Sequence, residues 1–174
     1  MRYFADGRQL ISAAVDGAVK IWDANQGRST TTLMCHESKV YSAAVNDAMN
    51  MAVSVGSDRK IAVWDLRKVQ QPLFVNDEST ASVTSCDFTN DQKAIVTATF
   101  GGRVNVIDLA TRERRVDYDL MFLSDDPEEI MCYHVASVKN FPHASENVFL
   151  LSSGAGVPIV IDYEGWHEEP LHRL

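Results

Sequence analysis

Apolar residues recur at every second position in short runs along this chain, and no stretch sustains a helical period. Val19 and Ile21 flank Lys20, Ile61 and Val63 flank Ala62, and Val104 and Val106 flank Asn105. A period of two sets one side of a β-strand against a neighbour, so the pattern predicts strands. Each run closes on a large apolar residue followed by aspartate: Trp22-Asp23, Trp64-Asp65, Ile107-Asp108 and, more faintly, Ile161-Asp162. The intervals between these pairs are 42, 43 and 54 residues. The stretches SAAVDGAVKIWD, from Ser12, and SVGSDRKIAVWD, from Ser54, share Ser, Asp, Trp and the final Asp at the same offsets. TATFGGRVNVID, from Thr97, is a third copy with Ile107 in the Trp place.

The rest of the period agrees. Val40 and Val83 each stand 24 residues before the Trp place, and Tyr3, Val45 and Phe88 stand 19 before it. Asp6-Gly7, Asn46-Asp47 and Asn90-Asp91 follow, residue types that supply tight turns. Every unit then reads as four strands: one up to the turn, one after it (LISAA, AVSVG, AIVTA), the one ending at the Trp place, and one beyond (STTTLM, QPLFV, RRVDYDL). Repeats of this length signal stacked or radial architectures, so the fold expected is all-β, in units of approximately 1–34, 36–76, 79–122 and 131–174.

Four-stranded units of about 40–45 residues closing on Trp-Asp resemble the WD-repeat family, over nearly the whole chain. The resemblance implies a β-propeller of four-stranded antiparallel blades. It is most specific in the second unit, where Cys35-His36 stands in place of the usual Gly-His. His36, Ser54, Asp58 and Trp64 then fall on the family's hydrogen-bonded tetrad: Asp58 can accept from the His36 ring, whose other nitrogen meets Ser54, and Ser54 can accept from the indole. A structural tetrad of this kind satisfies polar groups inside an interior. The first unit keeps Ser12, Asp16 and Trp22. The third has Thr97 but Gly101 and Ile107 in the Asp and Trp places, which predicts apolar packing there. Pro158 falls in the expected third strand of the fourth unit, a poor position for a residue without an N–H.

The 174 residues, 45% of them hydrophobic, supply material for a sizeable core. No apolar run approaches the ~20 residues of a membrane helix, and no leader-like segment opens the chain. Three cysteines, Cys35, Cys86 and Cys132, have no metal-like spacing and read as free thiols of the cytoplasm or nucleus. A formal charge of −8 argues against a nucleic-acid backbone as main ligand. Arg112, Arg114 and Arg115 are the one basic cluster, expected at the rim of an edge strand. They carry the alternative reading, a ribonucleoprotein component touching RNA through a few Arg.

His36, Ser54 and Asp58 have the residue types of a hydrolase triad, but no nucleophile elbow accompanies them. Recurrence of Ser and Asp in the first unit points to architecture. Gly101-Gly102 and Gly154-Ala155-Gly156 read as hairpin turns rather than phosphate loops, and His134, His143, His167 and His172 lack ligand spacing. No catalytic residue, metal or cofactor is expected.

What remains is a protein–protein interaction scaffold, a subunit that assembles a multiprotein complex. The resemblance implies docking on a face that would include Glu37-Ser38-Lys39, Ser57 to Arg59, Asn76 to Ser79 and the insertion near 119–131. That insertion adds about eleven residues to the third interval and mixes Met121, Phe122 and Leu123 with Asp125, Asp126, Glu128 and Glu129. It is the candidate anchor for a basic peptide. The chain opens inside the first strand of its first unit, so a larger ring is expected, closed by the rest of a protein, by another chain or by self-association.

Overall fold

The computed structural model describes residues 1–119, 135–140, 148–153, 159–162 and 172–173. Within them sixteen strands form four four-stranded antiparallel sheets, each in sequential order, and no helix is present among the described residues. The first sheet holds β1 (Arg2–Tyr3), β2 (Gln9–Ala13), β3 (Ala18–Asp23) and β4 (Arg28–Met34). The second holds β5 (Val40–Val45), β6 (Met51–Gly56), β7 (Ile61–Asp65) and β8 (Phe74–Asn76). The third holds β9 (Val83–Phe88), β10 (Ala94–Thr99), β11 (Arg103–Asp108) and β12 (Arg114–Asp119). The fourth holds β13 (Val135–Asn140), β14 (Val148–Ser153), β15 (Ile159–Asp162) and β16 (His172–Arg173). Pro158 lies outside the described residues, and β15 begins directly after it.

The fourth strand of the second sheet is shorter than QPLFV suggested, running only Phe74–Asn76. Pro72 has no N–H to give to the ladder, and the first bond to β7 after it is Leu73 N–H to Val63 O, at 2.7 Å.

Two compact units divide the chain, Met1–Cys86 and Asp87–Leu174, with the boundary inside β9. In the first unit, the register of β2 on β3 places Leu10 opposite Trp22 and Ser12 opposite Lys20; β6 on β7 places Ala52 opposite Trp64 and Ser54 opposite Ala62. Opposed residues share a face. The Trp64 face of the second sheet packs on the face of the first that carries Ile11, Val19 and Ile21, and these residues form one core cluster with Leu33 and Ala52. The two sheets therefore differ in patterning. Almost every residue of β6 and β7 is buried, at alternate positions of both parities. In the first sheet Ile11, Val19 and Ile21 are buried while Leu10, Ser12, Lys20 and Trp22 are only half-buried. In the second unit β10 lies against β13, and Phe149 and Val138 are buried.

The turns at one end of the first two sheets are stitched together. Val40 N–H bonds to Ala14 O at 3.0 Å and Ser57 N–H to Lys39 O at 2.8 Å. Gly17, with φ +85°, comes so close to the His36 carbonyl that a Cβ there would lie 2.7 Å from the oxygen. Gly7 has a similar φ of +67° but open space around it. Gly7→Ala should cost about 1–2 kcal/mol for the left-handed backbone alone, and Gly17→Ala distinctly more, as read by chemical denaturation. Equal losses would mean that the first sheet's turn is free to move away from the second sheet.

Candidate functional site

An aspartate ends each third strand, after Trp in the first two sheets and after Ile in the others, and it has a local task that sequence reasoning did not assign. Asp23 Oδ1 accepts the N–H groups of Asn25 and Gln26, Asp65 Oδ1 that of Arg67, and Asp108 Oδ1 those of Ala110 and Thr111, at 2.7–3.0 Å. Each carboxylate thus closes the turn into the fourth strand. The Arg67 guanidinium also grips Asp65 at 2.8 Å, and this side-chain bond, with the backbone bond, lowers the carboxyl to about 2. Backbone N–H bonds from Thr111 hold Asp108 below the usual carboxylate range despite some burial, with help from Ala110 and Arg115. An aspartate two or three residues before a turn's N–H groups is the signal that could have revealed this.

In the second sheet the structure brings His36, Ser54, Asp58 and Trp64 into one hydrogen-bonded chain. The indole N–H of Trp64 donates to Ser54 Oγ at 3.0 Å. Ser54 Oγ lies 2.9 Å from His36 Nε2, and His36 Nδ1 lies 3.0 Å from both oxygens of Asp58. One tautomer satisfies all of them: a neutral ring that donates from Nδ1 to Asp58 and accepts the Ser54 hydroxyl proton at Nε2. The Asp58 carboxylate also gathers the N–H groups of Glu37 at 3.1 Å and Lys60 at 3.3 Å. It therefore ties the segment entering β5 to the turn between β6 and β7. Burial works to raise its carboxyl, but the hydrogen bond and attraction of His36 and the two backbone donors bring it below the ordinary 3.8.

The spacing Ser–His–Asp is that of a nucleophilic triad, yet the arrangement has no chemistry to offer a substrate. Ser54 is 0% exposed and the His36 ring is likewise closed off, and Ser54 Oγ already accepts from the indole. Among the described residues no group of three His, Cys, Asp or Glu side chains is placed to hold a metal. Beside His36, burial pushes the half-buried Cys35 thiol up; neither Cys35 nor the buried Cys86 is in a disulfide.

The other sheets hold parts of the same chain. In the first, Trp22 donates to Ser12 Oγ at 2.8 Å, and Asp16 accepts the Ala18 N–H at 3.0 Å as Asp58 accepts that of Lys60. In the third, Ile107 fills the Trp place and is 1% exposed. Ser79 takes the His place; rather than lying open on the docking face as expected, it is nearly buried and donates to Ala81 O at 2.8 Å. Thr97, with neither indole nor imidazole beside it, has a buried hydroxyl without a partner, and the side-chain Oδ1 of Asn105 opposite it also lacks one.

The candidate partner-binding stretch, with Met121, Phe122, Asp125, Asp126, Glu128 and Glu129, lies outside the described residues. Of the Arg cluster, Arg114 and Arg115 lie on the edge strand β12, as the sequence suggested, and are held by carboxylates, while Arg112 stands in the turn before it. Arg115 is paired with Asp108, Arg114 with Asp117 at 2.7 Å, and neighbouring Arg103 stands 3.4 Å from Asp119.

Residues 1–23 and 27–65 match the family described as WD domain, G-beta repeat. The chain is 22% identical over 147 residues to a p21-activated protein kinase-interacting protein 1-like protein of Xenopus laevis, covering 78% of this chain and 40% of that one. Its Danio rerio namesake is 23% identical over 141 residues, 75% of this chain and 38% of the relative. An uncharacterized WD repeat-containing protein of Schizosaccharomyces pombe is 30% identical over 87 residues, 49% of this chain and 20% of the relative. The chain spans less than half the length of each of these relatives.

Removing one partner from a buried hydrogen bond strands the other. Asp58→Ala should therefore lower stability by about 1–3 kcal/mol, measured by thermal unfolding; an unchanged melting temperature would overturn the clamp. The Asp58 contribution is complete above its ordinary value of 3.8 and is lost as pH falls through the lowered one. The stability gap between wild type and Asp58→Asn should accordingly shrink on acidification. Ser54→Ala should cost as Asp58→Ala does, whereas Thr97→Val, which deletes a hydroxyl with no partner, should leave the melting temperature equal or higher. A large loss from Thr97→Val would mean that its hydroxyl is bonded.

Proposed function

We propose that this chain, a member of the WD-repeat family, serves as a non-enzymatic platform on which other proteins assemble into a complex. The observation that carries this reading is apolar surface held open on a stitched frame. Tyr41 is the extra residue where the β5–β6 register shifts between Val40 and Ser42, and it is 50% exposed. Bulges re-aim side chains in this way. Val15, at the turn bonded to Val40, is 72% exposed. Aromatic residues on a preorganised surface are the groups that carry most binding energy in protein interfaces. Polar residues of the same loops, Glu37, Ser38, Lys39, Ser57 and Arg59, make a rim. Two of the relatives are named as kinase-interacting proteins, which supports a protein as the ligand.

The stretch from Met121 to Glu129 serves as a second contact, its carboxylates steering a basic peptide and Phe122 supplying area. Cytoplasm or nucleus is the compartment proposed, in line with Cys35 and Cys86 standing outside any disulfide. The carboxylates on Arg103, Arg114 and Arg115 leave the RNA alternative without support.

Quantitative affinity capture from RNase-treated extract tests the platform. Proteins retained by wild type should fall by about tenfold or more with Val15→Ser and Tyr41→Ser combined, since central aromatic anchors carry about 2 kcal/mol or more; equal retention would overturn it. Replacing Asp125, Asp126, Glu128 and Glu129 by Ser should slow association and flatten its salt dependence. Identical affinity and identical salt response would remove that stretch from the interface.

A further inference from the structure

The turn between the second and third strands takes the same left-handed step in each of the first three sheets. Its N–H bonds to the carbonyl three residues back: Gly17 to Ala14 at 3.4 Å, Arg59 to Gly56 at 3.3 Å and Gly102 to Thr99 at 3.1 Å. Glycine makes the step in the first and third sheets, with φ +85° and +79°, but in the second it falls to Arg59, at φ +66°. Glycine adopts this backbone freely, whereas a long side chain is strained by it. Gln92, also held at positive φ, bends its amide back to Thr89 O at 2.9 Å. Arg59 recovers nothing of the kind: its side chain is exposed and has no hydrogen bond or ion pair among the described residues. Strain without a local return points to a ligand outside the chain.

The surroundings of Arg59 give that ligand its chemistry. Ser57, two residues before it, bonds through its N–H to Lys39 O, and Val40 N–H bonds to Ala14 O. Arg59 therefore belongs to the same stitched end as Val15 and Tyr41. Lys39 is a second exposed cation with no ion pair among the described residues. The neighbouring acids are engaged elsewhere. Glu37 takes the Lys60 ammonium at 2.6 Å, Asp58 takes the His36 ring and two backbone N–H groups, and Asp16 turns one oxygen to the Ala18 N–H. Two cations without counter-charges thus share one end with two exposed apolar side chains. A guanidinium grips a carboxylate through two parallel N–H bonds, and complementary charge decides which partner and which register are accepted.

We infer that this end takes an acidic peptide segment, whose carboxylate pairs with Arg59 and Lys39 while an apolar residue next to it covers Tyr41. The inference rests on the reading of Val15 and Tyr41 as a docking surface and adds the chemistry of what docks there. It is opposite in sign to the basic peptide read from Asp125 to Glu129, so the two contacts select different segments.

A library of random peptides displayed on phage, panned on the immobilised full chain, is the probe, with circular dichroism as a check on the folding of each variant. Wild type should enrich sequences with Asp or Glu beside a large apolar residue. Arg59→Glu combined with Lys39→Glu should exchange those acids for Lys or Arg. An enriched peptide should bind Arg59→Gly about tenfold or more weakly, while the melting temperature of that variant holds or rises, because glycine relieves the left-handed backbone. Wild type that enriches no peptide would overturn the inference, as would enriched peptides of the same charge on both chains. A melting temperature that drops in Arg59→Gly along with its binding would give the residue a structural role instead. Val15→Ser with Tyr41→Ser separates this inference from the reading beneath it. Peptides lost from that variant but indifferent to charge overturn the inference alone; acidic peptides that bind it unchanged overturn the docking surface itself.

Discussion

A buried carboxylate that must be satisfied organises the second sheet. Asp58 sits in a turn, yet it holds the His36 ring and the Glu37 N–H of the segment entering β5. Through the imidazole it reaches Ser54 and, through Ser54, the indole of Trp64. Each member is useful only because the next one is present, for a half-satisfied polar chain in an interior is worse than an apolar one. The loop entering β5, the β6–β7 turn and the middle of the sheet are thereby fixed to each other. The third sheet takes the other solution. With Ile107 and Gly101 in the Trp and Asp places it relies on packing, and Thr97 keeps a hydroxyl that nothing answers.

Fixing those loops has a functional side. Val40, Lys39 and Gly56 form the ground on which Tyr41 stands, and Gly17 presses on the carbonyl of His36 itself. The interior chain and the exposed aromatic are separated by a few residues of backbone. A surface held this firmly loses little freedom when a partner arrives, which is what a platform requires. The same tightness removes any case for catalysis at His36, Ser54 and Asp58, since the geometry is held where no substrate can enter.

Much of this was legible in the sequence because strand alternation and turn chemistry are local. The periods ending at Trp22, Trp64 and Ile107 announced the sheets, and the offsets of His36, Ser54, Asp58 and Trp64 announced residues that the structure joins. The turn-closing role of Asp23, Asp65 and Asp108 is also local, carried by N–H groups two or three residues on. The rest of what escaped the sequence depends on what lies opposite. The bulge at Tyr41 arises from a register that only pairing with β6 defines. Pro72 shortens β8 by withholding one donor, an effect hidden by the apolar run around it. The unequal faces of the first sheet are likewise invisible in a string where Leu10 and Ile11 look alike. Only stacking decides that Ile11 is closed in and Leu10 is not.

The sequential order of the strands has a consequence for how the chain reaches this state. Each sheet is drawn from one contiguous window, residues 2–34, 40–76, 83–119 and 135–173, with every ladder made between neighbours in the chain. Loop-closing entropy for such contacts is small, and they form early. The indole, hydroxyl, imidazole and carboxylate of the second sheet all lie inside its own window or just before it. A nascent chain emerging from the ribosome can thus finish one sheet, polar interior included, before the next has been synthesised.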